Sequence, residues 1–296
     1  MGVAKNGKAA SPAADVPWFD LPDAAYRERA SALSNKVELV AAAAEFREKG
    51  FVVRDFGFSE ADLEEAAAYT KAISTGRVQD AWMVNGAVKR LATDVRVTEF
   101  LDELYQRESF PFQTLNFPRG SQQHTHADTY HFNSVPQGFM CGVWIALEDI
   151  HPDAGPLQYY PGSHRLPALN NVDLPSGSYA SYDGQVAEVV GKSGLARETA
   201  KIKRGQAFIW AANLYHGGSP IADPTRTRLS QVTHYYFDGC SYFTPLASEA
   251  DKTYWREPYD IAKRRFVANA DPAHRASLKT RIGGRLRVWA RRPYSS

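Results

Sequence analysis

Three of the chain's eight histidines fall within eight residues, in Gln122-Gln123-His124-Thr125-His126-Ala127-Asp128-Thr129-Tyr130-His131. In an extended chain, side chains at i and i+2 share a face. His126 and Asp128 are therefore placed to reach one metal ion together. His124 has the same parity, so it is either a ligand in a shifted register or a pocket residue beside the other two. A third ligand must come from elsewhere. The candidate is His216 in Asn213-Leu214-Tyr215-His216-Gly217-Gly218, at a predicted strand end where two glycines let the backbone turn. Two imidazoles and one carboxylate on one face of an octahedron are the ligand set of non-haem Fe(II) oxygenases, with the remaining positions free for cosubstrate and O2. A His-x-Asp pair alone is weak, since such pairs also arise as surface polar groups or hydrogen-bonded couples.

The elements that must position these residues change character midway. Residues 24–49 are rich in Ala, Glu and Leu at helical spacing, and Gly50 is a helix stop. Phe51-Val52-Val53-Arg54-Asp55-Phe56 reads as a strand, and Ser59 followed by Asp62 as the start of a helix to about residue 73. Another helix is expected over 95–107. From Phe110 onward short strands are expected at 112–117, 139–147, 158–160, 200–203, 207–210 and 229–237, separated by turn clusters such as Pro118-Arg119-Gly120 and Pro161-Gly162-Ser163. That spacing suggests an antiparallel barrel or double-sheet jelly roll. Residues 166–197 read as a long, weakly periodic loop of the kind that forms lids. We expect a disordered leader over 1–23, one jelly-roll domain over 24–260 and a basic, helical extension over 261–296.

Composition narrows the function. The chain has 296 residues, a hydrophobic fraction of 44% and a charged fraction of 23%, which fit a folded globular protein. A net charge of +2 gives no reason to expect nucleic acid as a partner. Two distant cysteines, Cys141 and Cys240, exclude a disulfide scaffold, a Cys-rich zinc site and an Fe–S cluster. There is no glycine-rich phosphate loop and no nucleophile motif. No run of apolar residues is long enough to span a membrane, and the first residues lack the apolar core of a secretory signal, so a cytoplasmic protein is expected. From Arg275 onward seven basic residues stand with no acid, interleaved with Leu278, Ile282, Leu286, Val288 and Trp289. Such a tail is a solvated helix, or a contact for an anionic membrane, substrate or carrier.

Four blocks in order carry a resemblance. They are His126-Ala127-Asp128; Trp144-Ile145-Ala146-Leu147-Glu148-Asp149; Gly155-Pro156-Leu157-Gln158-Tyr159-Tyr160-Pro161-Gly162-Ser163-His164-Arg165; and Gly205-Gln206-Ala207 leading to His216-Gly217 and Arg228. With the opening helix and Gly50-Phe51-Val52-Val53, the chain resembles the phytanoyl-CoA dioxygenase family of Fe(II)- and 2-oxoglutarate-dependent oxygenases over about two-thirds of its length. The resemblance implies a double-stranded β-helix, or jelly roll, with flanking helices. It implies Fe(II) bound by His126, Asp128 and His216, with 2-oxoglutarate and O2 as cosubstrates. It also implies an arginine gripping the distal carboxylate of 2-oxoglutarate, a role that chemistry supports because a guanidinium pairs with a carboxylate through two hydrogen bonds. Arg226 and Arg228 compete for it with the same strand parity. Arg228 is favoured because it opens the apolar strand directly, and His234 then matches the family's imidazole six residues on.

Trp144 is either a core residue or the aromatic beside the cosubstrate. Thr114, Asn116 and Ser219 are further candidates for cosubstrate hydrogen bonds. Tyr130, His131 and His124 are candidates for the substrate pocket, and His131 is equally a wall residue. His164 reads as structural, pinning its turn. In related halogenases a Gly or Ala stands where this chain has Asp128, so the resemblance implies hydroxylation or a related hydrogen abstraction. The substrate class stays open between a small molecule, a lipid and a glycan. Two rivals remain: a jelly-roll isomerase or hydrolase that uses the same ligands without 2-oxoglutarate, and a non-catalytic jelly-roll binding module.

Overall fold

The computed structural model describes residues 16–169, 179–249, 251–277 and 283. In chain order it contains α1 (Asp23–Ala32), α2 (Val37–Lys49), β1 (Phe51–Asp55), α3 (Glu60–Lys71), β2 (Val78–Gln79), α4 (Gly86–Ala92), α5 (Val95–Tyr105) and β3 (Ser109–Phe117). Then follow β4 (Asn133–Val135), β5 (Met140–Ala146), β6 (Leu157–Tyr159), α6 (Tyr179–Ser193), β7 (Glu198–Thr199), β8 (Gln206–Ala211), β9 (His216–Gly218), β10 (Ser230–Phe237) and β11 (Ser241–Phe243). The short strands β12 (Trp255–Arg256), β13 (Tyr259–Asp260) and β14 (Arg265–Phe266) complete it.

The major sheet has the order β1-β8-β5-β10-β3-β2, and all its neighbours are antiparallel. A minor sheet, β7-β6-β9, carries the second half of the jelly roll. Strand parity sorts the major sheet into two faces. Cys141, Val143, Ile145, Ala207, Ile209, Ala211 and Tyr235 pack with the helical layer. Trp144, Ala146, Phe208, Trp210 and Val232 face inward, between the sheets. On the helical face, α4 accepts two hydrogen bonds from β10: Gln231 Nε2 donates to the Val88 carbonyl at 3.0 Å and Tyr235 Oη to the Ala92 carbonyl at 2.8 Å.

Several expectations need correcting. Residues 24–49 form two helices, because Ser34 and Asn35 interrupt the first before α2 begins. Ser59 precedes α3, but its side chain makes no capping hydrogen bond. The strand expected at 200–203 lies two residues earlier, at β7. Of the expected leader, residues 16–23 belong to the fold. Trp18 and Phe19 are buried, Trp18 Nε1 donates to the Leu104 carbonyl at 2.8 Å, and the Phe19 ring meets Phe46 and Tyr105 edge-on. Residues 1–15 lie outside the described residues. The expected loop over 166–197 contains the fifteen-residue α6, whereas residues 170–178 fall outside the description. The extension expected to be helical from residue 261 instead runs through the β13–β14 hairpin, with Val267 in the core. Most of the basic tail beyond residue 277 lies outside the described residues. No described helix is long and apolar enough to cross a membrane.

Gly50 closes α2 in the left-handed conformation, at φ 81°. A Cβ there would lie 2.4 Å from His164 Nδ1. The turn around His164 is thus seated directly on the helix end, where His164 Nε2 bonds the Arg47 carbonyl at 3.1 Å. Gly50→Ala meets both a left-handed backbone penalty and a steric clash, and should cost on the order of 2–4 kcal/mol. Urea unfolding of the two proteins measures this. An unchanged midpoint would contradict it.

Candidate metal and cosubstrate centre

His126 follows an irregular stretch after β3 and Asp128 opens a short 3-10 turn, while His216 starts β9. Reciprocal main-chain bonds join the two halves: His126 N–H donates to the His216 carbonyl at 2.8 Å and His216 N–H to the His126 carbonyl at 2.9 Å. His126, Asp128 and His216 are all buried, and one ligand atom from each lies within 4.8 Å of the others. Each histidine's Nδ1 contacts the carbonyl two residues before it, His124 at 2.9 Å and Leu214 at 3.0 Å. A carbonyl can only accept, so the proton sits on Nδ1 and Nε2 presents its lone pair. These two Nε2 atoms stand 3.8 and 3.9 Å from Asp128 Oδ1. That is too long for a hydrogen bond. The separations suit three donors around one cation.

The electrostatics agree. Burial first, then the neighbouring His216, holds His126 down at about 3, so it is neutral at pH 7. Burial pushes the Asp128 carboxyl up, yet the surrounding His216, His234 and His126, with the Trp210 hydrogen bond, outweigh it and leave the group below its ordinary value. Trp210 Nε1 donates to Asp128 Oδ2 at 2.8 Å. His234 Nε2 lies 3.6 Å from the same oxygen, and its Nδ1 contacts Gln113 Oε1 at 3.0 Å. Gln123 Nε2 is 3.3 Å from His126 Nε2, an amide donor on the lone pair that an ion would take.

Around these groups lies a cavity of about 430 Å³, into which Arg228 also projects. Arg228 is buried, its Nη1 donates to Ser230 Oγ at 2.9 Å and its Nη2 to the Arg119 carbonyl at 3.3 Å. Its Nε is buried without a partner, and no carboxylate among the described residues pairs with it. Its Cζ lies 5.3 Å from the Trp144 ring centroid and 5.4 Å from that of Phe117. Burial lowers its pKa to about 10, which leaves it charged at neutral pH. Arg226, the competitor, is exposed and pairs with Asp223 at 3.0 Å. A buried guanidinium framed by aromatic faces and lacking a protein carboxylate fits a dicarboxylate cosubstrate. Trp144 is buried and lines the cavity.

Other expected site residues stand elsewhere. Thr114 and Asn116 are buried on the helical face of β3, where Asn116 Nδ2 donates to Thr70 Oγ1 at 3.0 Å. The cavity is lined instead by the opposite parity, Gln113, Leu115 and Phe117. Ser219 lies beyond β9 and outside the cavity lining. Tyr130 is fully buried and stacks on Tyr182 of α6 at 3.8 Å, so it forms interior wall. Tyr182 Oη accepts from Ala127 N–H at 2.9 Å, between two of the clustered residues. His131 does line the cavity. His124 points outward, its side chain 77% exposed, and contacts Asp183 at 2.7 Å. Trp210 was not singled out from the sequence. Its signal was parity: it lies inward on β8 opposite Gly142, where a Cβ would be 2.3 Å from the indole.

Jelly-roll geometry, a His/Asp/His cluster and a buried free arginine in one cavity define a non-haem iron oxygenase centre of the 2-oxoglutarate-dependent class. The family model of phytanoyl-CoA dioxygenase (PhyH) matches residues 24–227. The chain belongs to the phytanoyl-CoA dioxygenase family, and it is an oxygenase-type enzyme that uses Fe(II) and 2-oxoglutarate. Similar solved structures include the epimerase SnoN from nogalamycin biosynthesis, in complex with Fe3+, α-ketoglutarate and nogalamycin RO. It is 21% identical with a TM-score of 0.58, over 72% of this chain and 88% of that one. The α-ketoglutarate-dependent carbocyclase SnoK, from the same biosynthesis, is 17% identical with a TM-score of 0.56, over 68% and 85%. EctD from S. alaskensis with bound Fe is 18% identical with a TM-score of 0.54, over 79% and 85%. No curated protein sequence matches the chain.

The Trp210 hydrogen bond orients a buried carboxylate, and partners of this kind typically contribute 10–100-fold to metal affinity. Trp210→Phe keeps the ring and removes the donor. Anaerobic titration should show Fe(II) affinity lower by roughly that factor. An unchanged affinity would mean that the bond does not orient Asp128.

Proposed function

We propose that His126, Asp128 and His216 hold one Fe(II), that Arg228 anchors the carboxylate of 2-oxoglutarate remote from the metal, and that the enzyme hydroxylates a small organic substrate. The observation that carries this reading is the buried Arg228 guanidinium with no protein carboxylate, in the same cavity as three convergent metal donors. Bound Fe(II), with 2-oxoglutarate and O2, supplies the oxidising power, and the cosubstrate leaves as succinate and CO2 while one oxygen atom enters the substrate. The chain's part is positional. The two Nδ1–H bonds fix the imidazole tautomers, the Trp210 N–H holds the Asp128 carboxylate, and Arg228 with Trp144 and Phe117 sets the depth of the cosubstrate. Inward aromatic side chains exclude water.

A carboxylate at position 128 supports hydroxylation or a related hydrogen abstraction over halogenation. SnoN and SnoK are an epimerase and a carbocyclase, so epimerisation and ring closure are the competing fates of the substrate radical. An isomerase or hydrolase working without 2-oxoglutarate, or a plain binding module, gives no reason for Arg228. Residues 24–260 are the segment we assign to catalysis. A screen spanning small acids, amines, lipids and glycans for substrate-stimulated succinate release tests the function.

Three outcomes are expected. Anaerobic titration should load one Fe(II) per chain, and Ala at position 126, 128 or 216 should abolish most of that affinity while His124→Ala leaves it intact. Arg228→Ala leaves a cosubstrate carboxylate unpaired and should cost on the order of 3–5 kcal/mol, roughly 10²–10⁴-fold in the KM for 2-oxoglutarate, with iron binding preserved. Arg226→Ala should have little effect, and a larger effect there would move the anchor. With a substrate in hand, turnover under 18O2 in excess chloride should give a product carrying one 18O atom. A chlorinated main product would overturn the assignment of hydroxylation.

A further inference from the structure

The cavity walls hold more positive charge than the iron and cosubstrate require. Among the described residues that line it, the cations are Arg77 and Arg228 and the acid is Asp128. In the filled centre proposed above, on which this inference rests, the ion and Arg228 are balanced by Asp128 and the two carboxylates of 2-oxoglutarate. Arg77 is then left over. It leads into β2, whose Val78 and Gln79 pair with Asn116 and Leu115 at the edge of the major sheet, and this places it over the cavity mouth. Its guanidinium has no ion pair and no side-chain hydrogen bond among the described residues.

A further cation stands beside the cavity. Arg256 lies over Phe132, which lines it, with its Cζ 5.0 Å from that ring centroid and 5.4 Å from that of Phe112, while the nearby Asp80 accepts from Gln79 and Trp82. His131, on the cavity wall, is kept neutral mainly by burial, against the pull of Asp128, and both Arg77 and Arg256 add to that lowering. The mouth continues outward into a second hollow, which Arg77 and Arg119 line without an acidic residue among those described. A mouth with this charge attracts anions and repels amines.

We propose that Arg77 anchors the substrate, and that the substrate is a small organic acid whose carboxylate it holds at the cavity mouth. The carbon to be oxidised then lies inward, past His131 and Phe132, toward the metal donors. The cavity's volume, at the low end for ligand sites and shared with 2-oxoglutarate, supports a small molecule. Because Arg77 is exposed, the pairing is partly screened by water and salt. Its effect on affinity should therefore be about two- to fivefold, well short of that of a buried pair.

The test is isothermal titration under anaerobic conditions of protein saturated with Fe(II) and 2-oxoglutarate. The probes are a panel of aliphatic, aromatic and amino-substituted monocarboxylic acids, each run beside its primary amide. At least one acid should bind about two- to fivefold more tightly than its amide. Arg77→Gln should bring that acid down to its amide, and Arg77→Lys should retain part of the difference. Iron and 2-oxoglutarate affinities should not change in either variant. The proposal is overturned if no acid in the panel exceeds its amide, or if Arg77→Gln weakens acid and amide alike. It is also overturned if Arg77→Gln weakens 2-oxoglutarate, which would assign Arg77 to the cosubstrate. Failure of the wild-type protein to load iron or 2-oxoglutarate would defeat the underlying reading instead, before any acid is added.

Discussion

The reciprocal main-chain hydrogen bonds between His126 and His216 are the constraint on which the centre depends. These residues lie 90 positions apart in the chain. A side chain on a loop has no fixed address, whereas one beside a paired backbone does. The bridge joins the stretch after β3 to β9, and β9 is held in turn by β6, with Tyr159 opposite His216. Gly217 and Gly218 permit this closeness, since a Cβ at either would meet the backbone of residues 122–124 at 2.5–2.7 Å. Once the two backbones are joined, the hydrogen bonds at Nδ1 leave each imidazole one lone pair to offer inward. Asp128, two residues after His126, completes the set, its carboxylate oriented by Trp210 from β8.

Two charges of opposite sign are buried in this cavity, and they do not meet. Asp128 is surrounded by imidazoles and an indole N–H; Arg228 is held by a hydroxyl, a carbonyl and aromatic faces. Burying an ion without its counter-ion is costly. Glu148, whose charge raises the Arg228 pKa, is occupied elsewhere, accepting from Leu229 N–H at 2.6 Å and Thr227 Oγ1 at 2.8 Å. The fold therefore keeps an anion and a cation apart within a single chamber. In the reading proposed above, a divalent metal would answer the first and a carboxylate of the cosubstrate the second. Each ligand relieves an electrostatic cost that the protein alone leaves in place.

Much of this was legible in the sequence, and the failures have physical causes. His126, Asp128 and His216 were found because metal ligation demands particular residue types, and Arg228 because it opens an apolar strand. Thr114 and Asn116 were misplaced because residues 114–117 alternate polar and apolar with the polar parity turned to the helices, where Asn116 bonds Thr70, and the apolar Leu115 and Phe117 turned to the cavity. Alternation shows that a strand has two faces, not which of them meets the site. α6 was hidden by Gly184 and Gly191, which weaken helical character, although Tyr182, Val186 and Val190 form an apolar stripe at a spacing of four. The packing of Trp18 and Phe19 depends on α2 and α5, contacts remote in sequence.

Trp210 illustrates a limit of a different kind. An indole projecting inward from β8 needs room on the neighbouring strand, and Gly142 supplies it. The residues are register partners, and any side chain at 142 would occupy the indole's position. Next along the sheet, His234 on β10 is the partner of Gly142 on its other side. A single row across three strands thus reads Trp210, Gly142, His234: two polar rings flank a gap, and both approach Asp128 Oδ2. The glycine is a spacer that lets two groups from strands on either side converge on one carboxylate oxygen. Nothing local to Gly142 or Trp210 announces this, because the relation exists only after β8, β5 and β10 are aligned. A slip of one residue in either pairing would turn a ring to the helical face and leave the carboxylate with one neighbour fewer. The register of the major sheet is therefore part of the chemistry of the centre.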